Sequence, residues 1–177
     1  MHQAEEDLLL LAAQDGNQKA FHMIYQKYQK PLLRYAFKIC NDRGLSQDAA
    51  QEAWLKLARN IRKIHDPRAL RSWLYKLVHW SSIDLMRKAN RCQENEAIFE
   101  EERYTSTNEI NLSDPDKLKL AINRLPSTEK QIVHLFYLDE LTINEIAIVL
   151  RIPGGTVKSR LNRARKLLKQ RFNYTDT

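Results

Sequence analysis

Between Leu141 and Leu168 the chain spells out a helix, a stop and a second helix, and this punctuation limits the fold more than any other feature. Thr142 can cap a helix start and Glu145, three residues on, can answer it, which is the reciprocal pattern of a capping box. The apolar run that follows ends at Arg151-Ile152-Pro153-Gly154-Gly155, where a proline and two glycines predict a tight turn. A second helix is expected from Thr156, with Val157, Leu161, Ala164 and Leu168 on one stripe at helical spacing. Its other face carries Ser159, Asn162, Arg163, Lys166 and Lys169, flanked by Lys158 and Arg165. A short helix, a Gly-containing turn and a basic second helix form the arrangement that lays a recognition helix in the DNA major groove. Arg and Lys can bond guanine edges there, and Asn can bond adenine. A solvated basic face on a plain helical hairpin would show the same charges. The capping box, the turn, the apolar stripe and the lack of any acid on the second helix together favour the DNA reader.

The rest of the chain also reads as helix. Only 4 glycines occur in 177 residues, and long stretches rich in Ala, Leu, Gln, Glu, Lys and Arg contain no breaker. The expected fold is all-α, with two small helical domains joined by a flexible linker. The first domain is expected over residues 1–91, the linker over 92–115, and the helix-turn-helix domain over 116–177. Four helices are predicted in the first domain: about Glu5 to Asp15, Lys19 to Ile39 with a kink or short break at Pro31, Ser46 to Asn60, and Pro67 to about Arg91. Ser46 or its neighbour is the expected cap of the third, with Asp48 in its first turn. A polar loop, Asn60 to Asp66, separates the third from the fourth. The linker is acidic and poor in apolar residues, so ordering it would not be offset by burial.

Net charge is +7, but its placement matters more than its size. From Gln93 to Asp116 there are eight acidic residues and one basic; from Gly154 to Arg171 there are seven basic residues and no acid. Positive charge is thus concentrated where a phosphate backbone could use it. An enzyme is not expected. The five histidines are dispersed, no metal-ligand spacing occurs, and a Gly-poor chain offers no phosphate-cradling loop, so no metal or cofactor is expected. Cys40 and Cys92 have no motif spacing, which suits a reducing cytoplasm. The amino terminus is acidic and unlike a signal peptide, and no apolar run reaches the roughly 20 residues that span a bilayer. A cytoplasmic protein without membrane insertion is expected.

Two surfaces of the first domain could carry chemistry, each with a plainer alternative. Asp48, Gln51 and Glu52 offer acceptors on one part of a helix, either for Arg and Lys of a partner or merely to complement the helix dipole. On the fourth helix Leu74, Leu77, Val78, Ser81 and Leu85 form a core stripe, while Lys76, Trp80, Ile83 and Arg87 point elsewhere. A basic and aromatic surface suits single-stranded DNA, although Trp80 could equally be core.

In these same residues the chain resembles the extracytoplasmic-function (ECF) sigma factors of RNA polymerase. Leu141 to Arg165, reading Leu-Thr-x-x-Glu-Ile-Ala-x-x-Leu-x-Ile-Pro-x-Gly-Thr-Val-Lys-Ser-Arg-Leu-x-Arg-Ala-Arg, is similar to region four of that family, as is the Leu125-Pro126 step before it. Asp48-x-x-Gln51-Glu52-x-Trp54-Leu55 resembles the polymerase-docking helix of region two. Ser72 to Leu77 followed by Asp84-Leu85-Met86-Arg87 resembles its promoter-opening helix, and Ala20-Phe21, Tyr25 and Tyr28 fit its start. The resemblance covers roughly Gln18 to Phe172 and implies promoter-specific initiation in response to a stress or envelope signal. It implies core polymerase as partner, held at its clamp helices through Asp48, Gln51, Glu52 and Leu55 and at its flap by region four. It implies minus-ten contacts from Arg62, Lys63, His65, Lys76, Trp80, Ile83, Asp84 and Arg87. Minus-thirty-five contacts would come from Thr156, Lys158, Ser159, Arg160, Asn162, Arg163 and Lys166. An anti-sigma factor is a further expected partner. The family pattern has Asn where this chain has Trp80, which predicts an altered promoter preference. The competing expectation is a helix-turn-helix activator that binds DNA without polymerase.

Overall fold

The structure is a computed structural model that describes residues 3–95 and 114–173, all of them in helices or short links, with no strand among the described residues. Helix α1 is Gln3–Gln14, α2 Gln18–Cys40, α3 Arg43–Asn60 and α4 Leu70–Asn95. Then come α5 Asp114–Asn123, α6 Ser127–Val133, a π-helical turn His134–Leu138, α7 Ile143–Leu150 and α8 Gly154–Asn173. Of the linker expected over residues 92–115, residues 92–95 belong to α4 and 114–115 to α5, and residues 96–113 lie outside the described residues.

Side-chain caps set most of these boundaries. Asn17 accepts from the backbone of Lys19 and Ala20 and starts α2. Asn41, in the left-handed region at φ 51°, closes α2, and its neighbour Asp42 starts α3 by accepting from Leu45 N at 2.7 Å. The expected start at Ser46 is therefore corrected. Ser46 is buried inside the helix, where its hydroxyl donates to the Asp42 carbonyl. Pro31 neither breaks nor ends α2, which runs through it; a proline there leaves the Lys27 carbonyl without its usual helical donor. Pro67 starts a short 3-10 turn, capped by Asp66, and α4 follows from Leu70 rather than from the proline itself. The capping box at α7 is present, with Thr142 and Glu145 bonded reciprocally. Gly154 and Gly155 open α8 rather than forming the turn; the reversal falls on Arg151, left-handed at φ 54°.

Helix α4 is the axis of the molecule. It packs on α2 and α3 on one side and on α7 on another. Leu10, Ile24, Leu32, Leu57, Leu74 and Val78 fill the amino-terminal core, and Ile132, Leu135, Leu141, Ile146, Val149, Val157 and Leu161 the carboxy-terminal one. The two sets merge into one apolar cluster. Val157, Leu161 and Ala164 are buried as their spacing predicts, so the polar side of α8 faces outward.

Candidate nucleic-acid interface

The recognition helix is built by its apolar stripe. With Val157, Leu161 and Ala164 turned into the core, Lys158, Ser159, Asn162, Arg163 and Lys166 are exposed along one face, with Thr156 and Arg160 half-buried beside them. Two basic residues are oriented from behind. Buried Glu129 of α6 lies 3.5 Å from the Arg163 guanidinium, and Arg165 donates to the Tyr137 hydroxyl at 2.7 Å. The helix thus presents donors for phosphates and base edges on a rigid support.

The residues expected to meet the minus-ten element lie on the loop after α3 and along α4. Gln14 Nε2 donates to the carbonyls of Ile61 and Ile64, both at 2.8 Å, and Arg62 Nε donates back to the Gln14 carbonyl. With Ile61 and Ile64 buried, the loop is pinned from inside while Arg62, Lys63 and His65 are exposed. On α4, Asp84 and Arg87 are exposed, whereas Lys76, Trp80 and Ile83 are half-buried. Trp80 is neither a core residue nor a free surface. Its Nε1 donates to the Val149 carbonyl of α7 at 3.2 Å, and the Arg151 guanidinium sits 4.3 Å over its ring. Sequence periodicity could not find this contact, because it joins residues 69 positions apart.

The docking-helix residues are also brought together. Asp48, Gln51 and Leu55 are exposed on α3, and Leu55, at 51% exposure, is an apolar residue left uncovered beside two acceptors. Glu52 holds Lys56 at 2.9 Å. Behind this face Trp54 donates to Gln29 at 2.6 Å and packs with Phe21 and Tyr25. A further groove of about 380 Å³ runs between α2, α5 and α6; Ile39, Leu118 and Ile122 line it together with Lys38, Lys119 and Lys130. Burial, with Lys38 nearby, lowers the Lys130 pKa. Among the described residues no cluster of His, Cys, Asp and Glu could hold a metal ion, and no helix is long and apolar enough to cross a membrane.

One buried titratable group gives the fold a pH dependence. His79 accepts or donates across 2.9 Å to the Tyr35 hydroxyl from α2, and Arg151 approaches it from the end of α7. Burial first, and the Arg151 charge second, lower its pKa from 6.5 to about 4. The unfolded chain therefore takes up this proton before the folded one does. The stability is fully present above about pH 6.5 and is lost progressively as pH falls towards 4, by up to about 3 kcal/mol. Denaturant melts at pH 7.5 and pH 5 should show this loss in the natural chain and a smaller one in His79→Asn. Equal losses in both would refute the assignment to His79.

These features define an all-helical protein, among the described residues, that carries a helix-turn-helix with an exposed basic second helix. Residues 24–92 match the family model for sigma-70 region 2, and residues 116–168 that for sigma-70 region 4. Among curated proteins, the ECF RNA polymerase sigma factor SigW of Bacillus subtilis is 28% identical over 89% of this chain and 91% of its own. The sigma-H factor of Pseudomonas aeruginosa is 25% identical over 94% of this chain and 93% of its own. Two solved structures share the fold. RpoE of Bartonella quintana, in complex with the anti-sigma factor NepR, has TM-score 0.69 and 21% identity over 88% of this chain and 98% of its own. CnrH, in complex with the cytosolic domain of CnrY, has TM-score 0.67 and 20% identity over 96% of this chain and 97% of its own. The chain belongs to the ECF family of RNA polymerase sigma factors.

Proposed function

We propose that this sigma factor works in the cytoplasm, without catalysis of its own, by docking on core RNA polymerase and bringing it to a specific class of promoters. In this reading residues 1–91 dock on the clamp helices and open the minus-ten element, residues 92–115 are the linker, and residues 116–177 hold the flap and read the minus-thirty-five element. Asp48, Gln51, Glu52 and Leu55 supply the docking face. Arg62, Lys63, His65, Lys76, Trp80, Ile83, Asp84 and Arg87 meet the opened strand. Thr156, Lys158, Ser159, Arg160, Asn162, Arg163 and Lys166 meet the upstream duplex.

The observation that carries the reading is the exposed basic face of α8 in the same chain as an exposed acidic and apolar face on α3. The first suits DNA and the second a protein with basic side chains, and an activator acting alone would need only the first. An anti-sigma factor is proposed as a further partner, in keeping with the complex with the anti-sigma factor NepR in which RpoE was solved. The lysine-rimmed apolar groove between α2, α5 and α6 would take an acidic amphipathic segment of such a protein.

A gel-shift assay with and without core polymerase tests the reading. Specific promoter binding is expected only with core, at least about 100-fold tighter than by the free chain, a coupling of roughly 3 kcal/mol. Equally tight specific binding by the free chain would return the protein to the activator class.

A further inference from the structure

The cavity of about 380 Å³ between α2, α5 and α6 has the size of an ordinary small-molecule site. Its wall is largely apolar. Tyr35 of α2 is fully buried, with its hydroxyl already bonded to His79 and its ring stacked on His134 at 5.7 Å between centres. Ile39 of α2 and Ile122 of α5 also line the cavity and are half-buried. Leu118 and Leu138, which line it too, are 42% and 53% exposed. These side chains are apolar surface that the fold itself covers only in part.

The charge around this wall is of one sign. Lys38 of α2, Lys119 of α5 and Lys130 of α6 come to the cavity from separate helices, and among the described residues no Asp or Glu lines it. None of these lysines is ion-paired with a carboxylate of a described residue. Lys130 is half-buried, and burial first and the Lys38 charge second lower its pKa. An ammonium drawn partly out of water, beside a second cation and without a carboxylate, is an uncompensated charge that an anion would relieve. Asn123, Ser127 and Gln131 add hydrogen-bond donors to the lining. A small polar anion such as phosphate would leave the apolar wall wet. A neutral hydrocarbon would leave Lys130 uncompensated. A molecule with an apolar chain and one anionic end answers both.

We infer that this cavity is a ligand site for a single-chain amphiphilic anion, a fatty carboxylate, with its chain against Tyr35, Ile39 and Ile122 and its head between Lys38 and Lys130. If each methylene takes roughly the 30 Å³ that a water occupies in the liquid, the volume holds a chain of about ten to twelve carbons. The acidic anti-sigma segment proposed above would set its side chains into the same space. The two occupants exclude each other, so a fatty carboxylate would free the chain from such a partner. That consequence rests on the sigma-factor reading; the binding itself does not.

Isothermal titration of the full chain, without polymerase and below the micelle-forming concentration, tests the site. The probes are dodecanoate, dodecyltrimethylammonium with a chain of the same length and the opposite head, and acetate with the head alone. Dodecanoate is expected to bind one per chain with Kd on the order of 10 μM. The cation and acetate should bind at least about 30-fold more weakly, the first for its charge and the second for its missing chain. Lys38→Glu with Lys130→Glu should reverse the preference, losing dodecanoate and gaining the cation. Misfolding abolishes binding but does not create a cation site. Leu118→Asp changes an exposed position and places a carboxylate in the lining, so it should weaken dodecanoate at least about tenfold with circular dichroism unchanged. No dodecanoate binding, binding that all these substitutions leave unaltered, or equal uptake of the cation by the natural chain would overturn the site. A short amphipathic Leu/Glu peptide is titrated alongside. Peptide binding that depends on Lys38 and Lys130, with none by dodecanoate, would also overturn it and leave the groove to a protein segment. Core-dependent promoter binding is scored separately on the same preparation. Its absence from a chain that binds dodecanoate as expected rejects the sigma-factor reading and upholds the site.

Discussion

Glu52→Lys combined with Leu55→Arg is expected to weaken binding to core polymerase by at least about 100-fold, roughly 3 kcal/mol. Leu55 is an apolar side chain that α3 leaves uncovered, and an exposed leucine between carboxylate and amide acceptors is the composition of an interface anchor with a polar surround. Placing two cations there removes the apolar contact and sets like charges against a basic partner surface, which costs more than losing an attraction. Lysine at position 52 would also face Lys56, one helical turn away and now held by Glu52 at 2.9 Å. That local repulsion on an exposed helix face is worth only a few tenths of a kcal/mol, so the fold should survive. Pull-down of core polymerase from purified components reads the effect directly, with circular dichroism confirming folding. Undiminished co-purification would remove α3 from the docking role.

Removing Lys158 and Arg163 together should abolish upstream-element recognition while leaving core binding intact. Each contact to a base or phosphate is worth roughly 1–3 kcal/mol, so the pair accounts for about 30-fold to well over 1,000-fold in promoter affinity if the terms add. The two changes are not equivalent. Lys158 is exposed at the start of α8 and its truncation should perturb little else. Arg163 lies 3.5 Å from buried Glu129, so Arg163→Ala also leaves a buried acid with less compensation. A thermal melt of each single variant separates lost contact from lost fold. Transcription that stays at the natural level on a promoter with an intact minus-thirty-five element, with both changes present, would sink the recognition-helix assignment.

The carboxy-terminal motif was legible because its signals are local. Thr142 and Glu145 are three residues apart, and the stripe of Val157, Leu161 and Ala164 repeats at the helical period, so each can be read within one or two turns. Local signals also misled in detail. Ser46 is a good capping residue by type, but Asp42, directly after the left-handed Asn41, claims the position four residues earlier. Pro31 should interrupt a helix, yet α2 continues through it, with Leu32 and Tyr35 just beyond buried in the core. Packing of that apolar face outweighs one missing backbone bond. Gly154 and Gly155 looked like the turn itself, whereas Arg151 takes the left-handed conformation and the glycines begin α8. Long-range pairings had no sequence signal at all. Nothing near Trp80 indicates Val149, and nothing near Arg34 indicates Asp139, 105 residues away. The sequence could place Trp80 in a core or on DNA; its location at the seam between the two halves required the tertiary fold.

The most direct test of the central claim is multi-round run-off transcription on a library of genomic promoter fragments, with core polymerase alone and with core plus this chain. A sigma factor built as described should give a limited set of discrete transcripts that depend entirely on the chain, share upstream and minus-ten elements, and disappear with Glu52→Lys plus Leu55→Arg. No chain-dependent transcript, together with tight sequence-specific binding to duplex DNA in the absence of core, would contradict it.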